Sequence, residues 1–98
     1  MLSESACVQR GTIYVGSKPI IAYVVAAMME LAKGREVTIK ARGKSISRAV
    51  DTVQVIRNRY LSMLRIKRIT FSSEPRPDTG DGSGERYVSC VEIVVSSA

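Results

Sequence analysis

Hydrophobic and polar positions alternate in four short stretches of the chain, as they do in β-strands that bury one face. The clearest is residues 36–42, in which Val37 and Ile39 share one face while Lys40 and Arg42 lie on the other. The other predicted strands are residues 12–15, 65–73 and 87–95. A break in the alternation near the start of the third strand indicates a bulge or a shifted start.

Two further stretches follow a helical period. Pro19 suits the first position of a helix and Gly34 suits its C-cap, which predicts a helix over residues 20–32. This helix is apolar nearly all round, so we expect a sheet with a neighbouring helix, or a second subunit, to cover it. The second helix follows Gly43, and its apolar stripe comprises Ile46, Ala49, Val50, Val53, Ile56 and Tyr60.

The element order β-α-β-α-β-β predicts an α/β (α+β) fold, because two right-handed crossovers followed by a hairpin form a two-layer sandwich. Two helices would pack on a mixed four-stranded sheet in a single domain of 98 residues. We expect residues 1–10 to be flexible. Residues 74–86, rich in Pro, Gly and Asp, are predicted to form a long flexible hairpin loop between the last two strands.

Basic residues are concentrated in one part of the chain. The net charge is +6, but residues 33–68 carry +9 and the remainder carries −3. Such a concentration is typical of a protein that binds a polyanion. A solvated helix face explains the composition equally well, so the charges must first be placed on elements.

Several classes of function are disfavoured by composition. The chain has no His, which removes the usual general base and the commonest metal ligand, so neither a catalytic residue, a metal nor a cofactor is predicted. Cys7 and Cys90 are too few for a disulfide scaffold and suggest a reducing compartment. The longest apolar stretch, residues 20–29, is shorter than a membrane span, so we expect a soluble cytoplasmic protein without a membrane partner.

The segment Gly43-Lys44-Ser45 follows a strand and opens a helix, as the end of a phosphate-binding Gly-x-x-x-x-Gly-Lys-Ser loop does. The position of the first glycine is Thr38, which lies inside the predicted strand. Nucleotide hydrolysis is therefore disfavoured. A helix N-terminus beside two cations suits single phosphates of a nucleic-acid backbone instead.

Lys18 ends the first strand beside the start of the first helix. The ends of the two parallel strands meet at one edge of the sheet, where Lys18 should approach Lys40, Arg42 and Lys44. We add Arg48, on the polar side of the second helix, to this predicted nucleic-acid-binding set.

The late hairpin carries Arg76 and Arg86 near its opposite ends. Inserted cations suit a DNA minor groove without demanding a sequence. The net charge of residues 74–86 is −2, however, and a merely disordered loop remains an alternative.

Residues 40–53, KARGKSISRAVDTV, continued by RNRYL at residues 57–61, resemble the most characteristic stretch of the Alba family of archaeal chromatin proteins. Gly16-Ser17-Lys18-Pro19 is similar to that family's Gly-Lys-Lys-Pro turn. The resemblance extends from about Thr12 to Val95. It implies a chromosome-associated homodimer that coats and compacts double-stranded DNA with little sequence preference, and that also binds RNA.

The resemblance also implies roles for individual residues. Four match contacts of the family with the nucleic-acid backbone, namely Lys18, Lys40, Arg42 and Lys44. Arg76 and Arg86 would serve arms that follow the minor groove, and Arg59 with Tyr60 would make contacts between dimers along DNA. For Tyr60, a place in the core stripe of the second helix is a strong alternative.

One departure concerns regulation. The family's first lysine, an acetylation target there, is Ser17 in this chain, so acetylation, with a deacetylase as partner, would have to act on Lys18. The missing cation and the acidic loop leave open a divergent paralogue that forms heterodimers with a more basic relative.

Two other classes of function remain. An RNA-binding protein acting in RNA stabilisation, maturation or translation would use the same basic edge. An enzyme acting on nucleic acid would need grouped carboxylates for a metal ion, but Glu36 and Asp51 are the only acids in the basic region.

Overall fold

The structure, a computed structural model, describes residues 8–9, 11–77 and 85–97. Its strands are β1 (Val8–Gln9), β2 (Thr12–Tyr14), β3 (Val37–Arg42), β4 (Arg65–Pro77) and β5 (Glu85–Ser96). Its two α-helices are α1 (Ile20–Ala32) and α2 (Ile46–Val55). A 3₁₀ turn, Gly43–Ser45, precedes α2, and a π-type turn, Ile56–Tyr60, follows it.

The described strands form one sheet in the order β1-β2-β3-β5-β4. β2 and β3 are parallel, whereas the other neighbours are antiparallel, so the predicted mixed sheet with two helices is confirmed. β1 is an addition: Val8 pairs with Ile13 and Gln9 with Thr12, within the segment expected to be flexible. This short strand places a fifth member beside the four predicted from the sequence.

As predicted, alternate side chains of β3 point to opposite faces of the sheet, one face buried in the core and the other carrying basic residues. Val37, Ile39 and Ala41 are buried among core residues of both helices, whereas Lys40 and Arg42 lie on the opposite face of the sheet. Because successive side chains of a strand point to opposite faces, the same six residues contribute to the core and to the basic surface.

Helix α1 has the predicted bounds, and Pro19 precedes its first residue instead of forming it. Gly34 ends it as predicted, with a φ of 80° that favours glycine. The sheet and α2 cover only one side, since Ile21, Val25 and Met29 remain exposed in the single chain. Their i, i+4, i+8 spacing places them on one apolar face.

The apolar stripe of α2 is only partly buried. Ala49, Val53 and Ile56 lie in the core, but the Tyr60 side chain is 54% exposed, so its predicted alternative as a core residue is wrong. The reason is the π-type turn, in which the Leu61 N–H donates to the Ile56 carbonyl at 2.7 Å. This wider turn changes the angular position of the residues after Ile56.

Strands β4 and β5 extend further than predicted. Residues 74–77 and 85–86 of the predicted loop are paired strand, and residues 78–84 lie outside the described residues. The prolines in residues 74–77 are compatible with this pairing because β4 is the edge of the described sheet. The predicted irregularity near the start of β4 is confirmed as a register shift between Ile66 and Arg68.

Candidate nucleic-acid interface

A cleft of about 760 Å³ opens where the parallel strands β2 and β3 end. Three of the predicted binding residues, Lys18, Lys40 and Arg42, line it together with Tyr14 and Tyr23. We call this feature the basic cleft, and its further lining includes Gly16, Ser45, Thr70, Ser72, Glu74, Cys90 and Glu92. The structure thus brings together cations from two separate stretches of the sequence.

The turn that carries Lys18 is held from α1 by a buried tyrosine. The Tyr23 hydroxyl oxygen accepts hydrogen bonds from the backbone N–H of Gly16 at 2.9 Å and of Lys18 at 3.1 Å. Tyr23 itself is only 2% exposed, and the two hydrogen bonds that it accepts are partly buried at the edge of the cleft. Both N–H groups therefore already have a hydrogen-bond acceptor within the protein.

Arg48 of α2 holds the same turn from the other side. Its Nε donates to the Gly16 carbonyl oxygen at 2.7 Å, and one of its terminal nitrogens donates to the Lys18 carbonyl oxygen. The predicted binding residue Arg48 is therefore engaged with the protein backbone. Its planar fork of donors suits this double contact, which a lysine would not reproduce.

Lys40 is paired on the face of the sheet that lines the cleft. Its Nζ lies 3.1 Å from Oε2 of Glu92 and 5.7 Å from the centre of the Tyr14 ring. The hydrogen bond with Glu92 raises the pKa of Lys40 above its usual value. Lys40 is therefore fully protonated at neutral pH, and Glu92 is its counter-ion within the protein.

Arg42 has a carboxylate partner as well. Its terminal nitrogen donates to Oε1 of Glu74 at 2.8 Å, which links the end of β3 to the hairpin strand β4. Sequence reasoning missed both carboxylates as members of the site. A weak signal existed for Glu92, which is the only acidic or basic residue in the stretch 87–95.

The remaining predicted residues are more dispersed. Lys44 is exposed in the 3₁₀ turn beside Ser45 and is not part of the cleft lining, and Arg59 and Tyr60 are exposed on the π-type turn. Arg76 and Arg86 are direct register partners in β4 and β5, while their side chains lie outside the described part.

In the described part of the chain, no group of three or more His, Cys, Asp or Glu side chains lies close enough to hold a metal ion. No helix of the described residues is long and apolar enough to cross a membrane.

Comparison with known proteins gives concordant results. The Alba family model matches residues 11–73. The chain is 48% identical over 83 residues to "DNA/RNA-binding protein Alba" of Methanocella arvoryzae, covering 83% of each chain. It is 44% identical over 92 residues to the protein of the same name from Methanoculleus marisnigri, covering 93% of this chain and 98% of that one.

A solved structure extends the likeness to three dimensions. Alba from Thermoplasma volcanium superposes with a TM-score of 0.77 at 32% identity, covering 87% of this chain and 98% of that one. The likeness in sequence is therefore accompanied by a likeness in fold over most of both chains.

Proposed function

The chain belongs to the Alba family, and from this premise we propose that it binds double-stranded DNA through phosphate contacts with little sequence specificity. Its relatives from Methanocella and Methanoculleus are named DNA/RNA-binding proteins. We propose a binding protein and not an enzyme, associated with the chromosome in the cytoplasm.

The observation that carries this proposal is the convergence of Lys18, Lys40 and Arg42 on the basic cleft. Clustered cations displace condensed counter-ions from a nucleic acid and bind its phosphates whatever the base sequence. The exposed Lys44 next to this cleft would add a further phosphate contact. Arg76 and Arg86, paired in register on the hairpin, are proposed to follow the minor groove.

We propose that two copies of the chain form the binding unit. Ile69 and Phe71 of β4 are register partners of Ile93 and Val91, which are buried in the core. Ile69 and Phe71 therefore lie on the face of the sheet that the helices cover. In the single chain, however, Ile69 is 50% exposed and Phe71 is 75% exposed. Exposed apolar side chains that continue a buried sheet face favour a partner subunit.

A dimer presents two basic clefts and two hairpins to one duplex, which supports coating and compaction of DNA. We propose contacts between neighbouring dimers through Arg59 and Tyr60, which are both exposed. A homodimer and a heterodimer with a more basic paralogue both fit the apolar surface of β4. Acetylation of the exposed Lys18, reversed by a deacetylase, would remove one cation from the cleft.

RNA binding in stabilisation, maturation or translation is the second candidate, because the printed names of the relatives include RNA. A phosphate-directed cleft accepts either backbone. Competition between duplex DNA and structured RNA at matched salt distinguishes the two functions.

The test is a gel-shift titration of the purified protein with several duplex sequences at a series of salt concentrations. If each dimer neutralises about six phosphates, log K should fall with log salt at a slope of about −5. Affinity should change little with sequence. A salt-independent affinity, a strong preference for one short sequence, or magnesium-dependent turnover of nucleic acid would contradict the proposal.

A further inference from the structure

The two cations that β3 contributes to the basic cleft already have carboxylate partners. Lys40 pairs with Glu92 at 3.1 Å and Arg42 with Glu74 at 2.8 Å. All four side chains are between 37% and 59% exposed, so both pairs are open to exchange with an anion from solution. The charges of these two pairs cancel. Among the charged residues that line the basic cleft, Lys18 therefore supplies the net positive charge.

The sheet register explains how each pair forms. Glu92 lies directly opposite Lys40 on the neighbouring strand β5. Arg42 lies opposite Cys90 of β5, and Cys90 lies opposite Ser72 of β4, two residues before Glu74. The Arg42 side chain therefore extends across β5 to reach its partner. Both carboxylates are on the same sheet face as the cations, since they occupy alternate positions on strands in register.

We propose that Glu74 and Glu92 are built-in competitors of nucleic-acid phosphate, which binds Arg42 and Lys40 by displacing these carboxylates. This inference rests on the proposed function and adds a control of affinity to the same site. Exposed ion pairs contribute little stability, so displacement is easy and each pair should weaken binding only about two- to fivefold.

Displacement also alters the salt dependence of binding. A free cation that contacts a phosphate releases counter-ions from the nucleic acid. A displaced carboxylate takes up a cation from solution and so offsets that release. Contacts made by Lys40 and Arg42 should therefore contribute less to the salt slope than the number of cations implies.

The experiment measures duplex DNA affinity at several salt concentrations for the wild-type protein, Glu74→Gln, Glu92→Gln and the double variant. We expect each single substitution to tighten binding about two- to fivefold at low salt and to steepen the slope by part of the roughly one unit that a single phosphate contact contributes. Glutamine preserves the shape and a hydrogen-bond acceptor while removing the charge.

Glu36→Gln is the matched control, because Glu36 forms a comparable exposed pair with Lys67, at 2.6 Å, and neither residue lines the basic cleft. It changes the net charge equally and should leave the slope unchanged. If Glu36→Gln tightens binding as much as the cleft variants, the effect is one of total charge and the inference is wrong. Unchanged affinity and slope in the cleft variants would also overturn it.

A second control tests whether the competition is local. In a Lys40→Ala background, Glu92→Gln should tighten binding no more than Glu36→Gln does and should not steepen the slope, because the cation for which Glu92 competes is absent. A slope that steepens as much as in the wild-type background contradicts the inference. If neither the wild type nor any of these variants binds duplex at low salt, the proposed function itself fails; if the wild type binds and the carboxylate substitutions act like Glu36→Gln, only the competition fails.

Discussion

Arg48 donates from Nε to the carbonyl oxygen of Gly16 at 2.7 Å, across 32 positions of sequence. The same guanidinium donates to the carbonyl oxygen of Lys18. Tyr23 accepts the N–H groups of these two residues, so both faces of the turn are held by side chains from the two helices. Lys18 is thus presented to the basic cleft by a turn in which the backbone N–H and C=O groups of Gly16 and Lys18 are all hydrogen-bonded.

Replacing Arg48 separates positioning from direct phosphate contact. We expect Arg48→Ala to lower the free energy of unfolding by about 1–2 kcal/mol, because it removes two charge-assisted hydrogen bonds. Arg48→Lys should recover little of this stability or of the DNA affinity, since an ammonium lacks the planar fork. If the lysine variant binds DNA like the wild type, Arg48 acts as a phosphate contact instead. Urea unfolding and gel-shift titration measure both effects, with Arg57→Ala on the exposed turn as control.

Tyr23→Phe removes only the hydroxyl that accepts two backbone N–H groups. We expect a decrease of about 1–3 kcal/mol in the free energy of unfolding, because both donors are deprived of their acceptor in a mostly buried site. Urea unfolding gives the value. Tyr60→Phe makes the same chemical change at an exposed position and should cost less than about 0.5 kcal/mol. Equal effects at the two positions would contradict the role assigned to Tyr23.

Lys40→Ala and Arg42→Ala should weaken binding to all duplex sequences by the same factor, because phosphate contacts carry no sequence information. Each substitution should flatten the salt slope by less than about one unit, since the carboxylate partner of the removed cation already offsets part of its contribution. Gel-shift titrations with unrelated sequences measure both quantities. Lys67→Ala removes a comparable exposed cation that does not line the cleft, and a similar weakening in this variant would place the binding surface elsewhere.

Phe71→Asp tests the proposed dimer. A carboxylate in the centre of an apolar interface would remain unpaired and desolvated, so we expect a folded monomer in sedimentation velocity. Phe71→Leu keeps an apolar side chain and should remain dimeric. A dimer of unchanged stability in Phe71→Asp would show that β4 does not form the interface.

The pair of Glu36 and Lys67 should add a pH-dependent contribution to stability. The hydrogen bond and positive charge of Lys67 lower the pKa of Glu36 below its ordinary value of 4.5. A lowered pKa in the folded state means that the stabilisation is complete above pH 4.5 and disappears as the pH falls through the lowered value.

Glu36→Gln should therefore be less stable than the wild type at neutral pH, and the difference should close in acid. Urea unfolding across this pH range measures it. In a Lys67→Met background the same substitution should show a much smaller pH-dependent difference, because only the positive charge of Arg68 then lowers the pKa of Glu36. An undiminished difference would assign the effect to another group.

Periodicity was sufficient for most of the fold. It predicted both helices, the principal strands and the irregularity near Ile66, because burial of one face imposes a regular spacing. It missed β1, whose two residues are too few to form a pattern. It also ended the hairpin strands too early, because Pro75 and Pro77 indicate a loop unless the strand is known to be an edge.

The sequence predicted that Lys18, Lys40 and Arg42 would lie close together. It did not predict which residues form ion pairs or hydrogen bonds there. Alternation in β3 assigned Lys40 and Arg42 to one face, and the parallel crossover brought Lys18 to the same edge. Neither rule indicates which carboxylate lies opposite a cation. Ion pairs act over a few ångströms, whereas a periodic pattern specifies only a face.

The sequence by itself thus determined the family, the order of the elements after β1 and the face on which the basic residues lie. Only the tertiary structure decided that Lys40 and Arg42 carry internal counter-ions and that Arg48 holds the Lys18 turn. In the sequence, Arg48 lies 32 positions from Gly16 and 30 positions from Lys18, the two residues to which it donates hydrogen bonds. Arg42 lies 32 positions from its partner Glu74. These partners meet through strand register and helix packing, which many distant apolar contacts set together and no local pattern records.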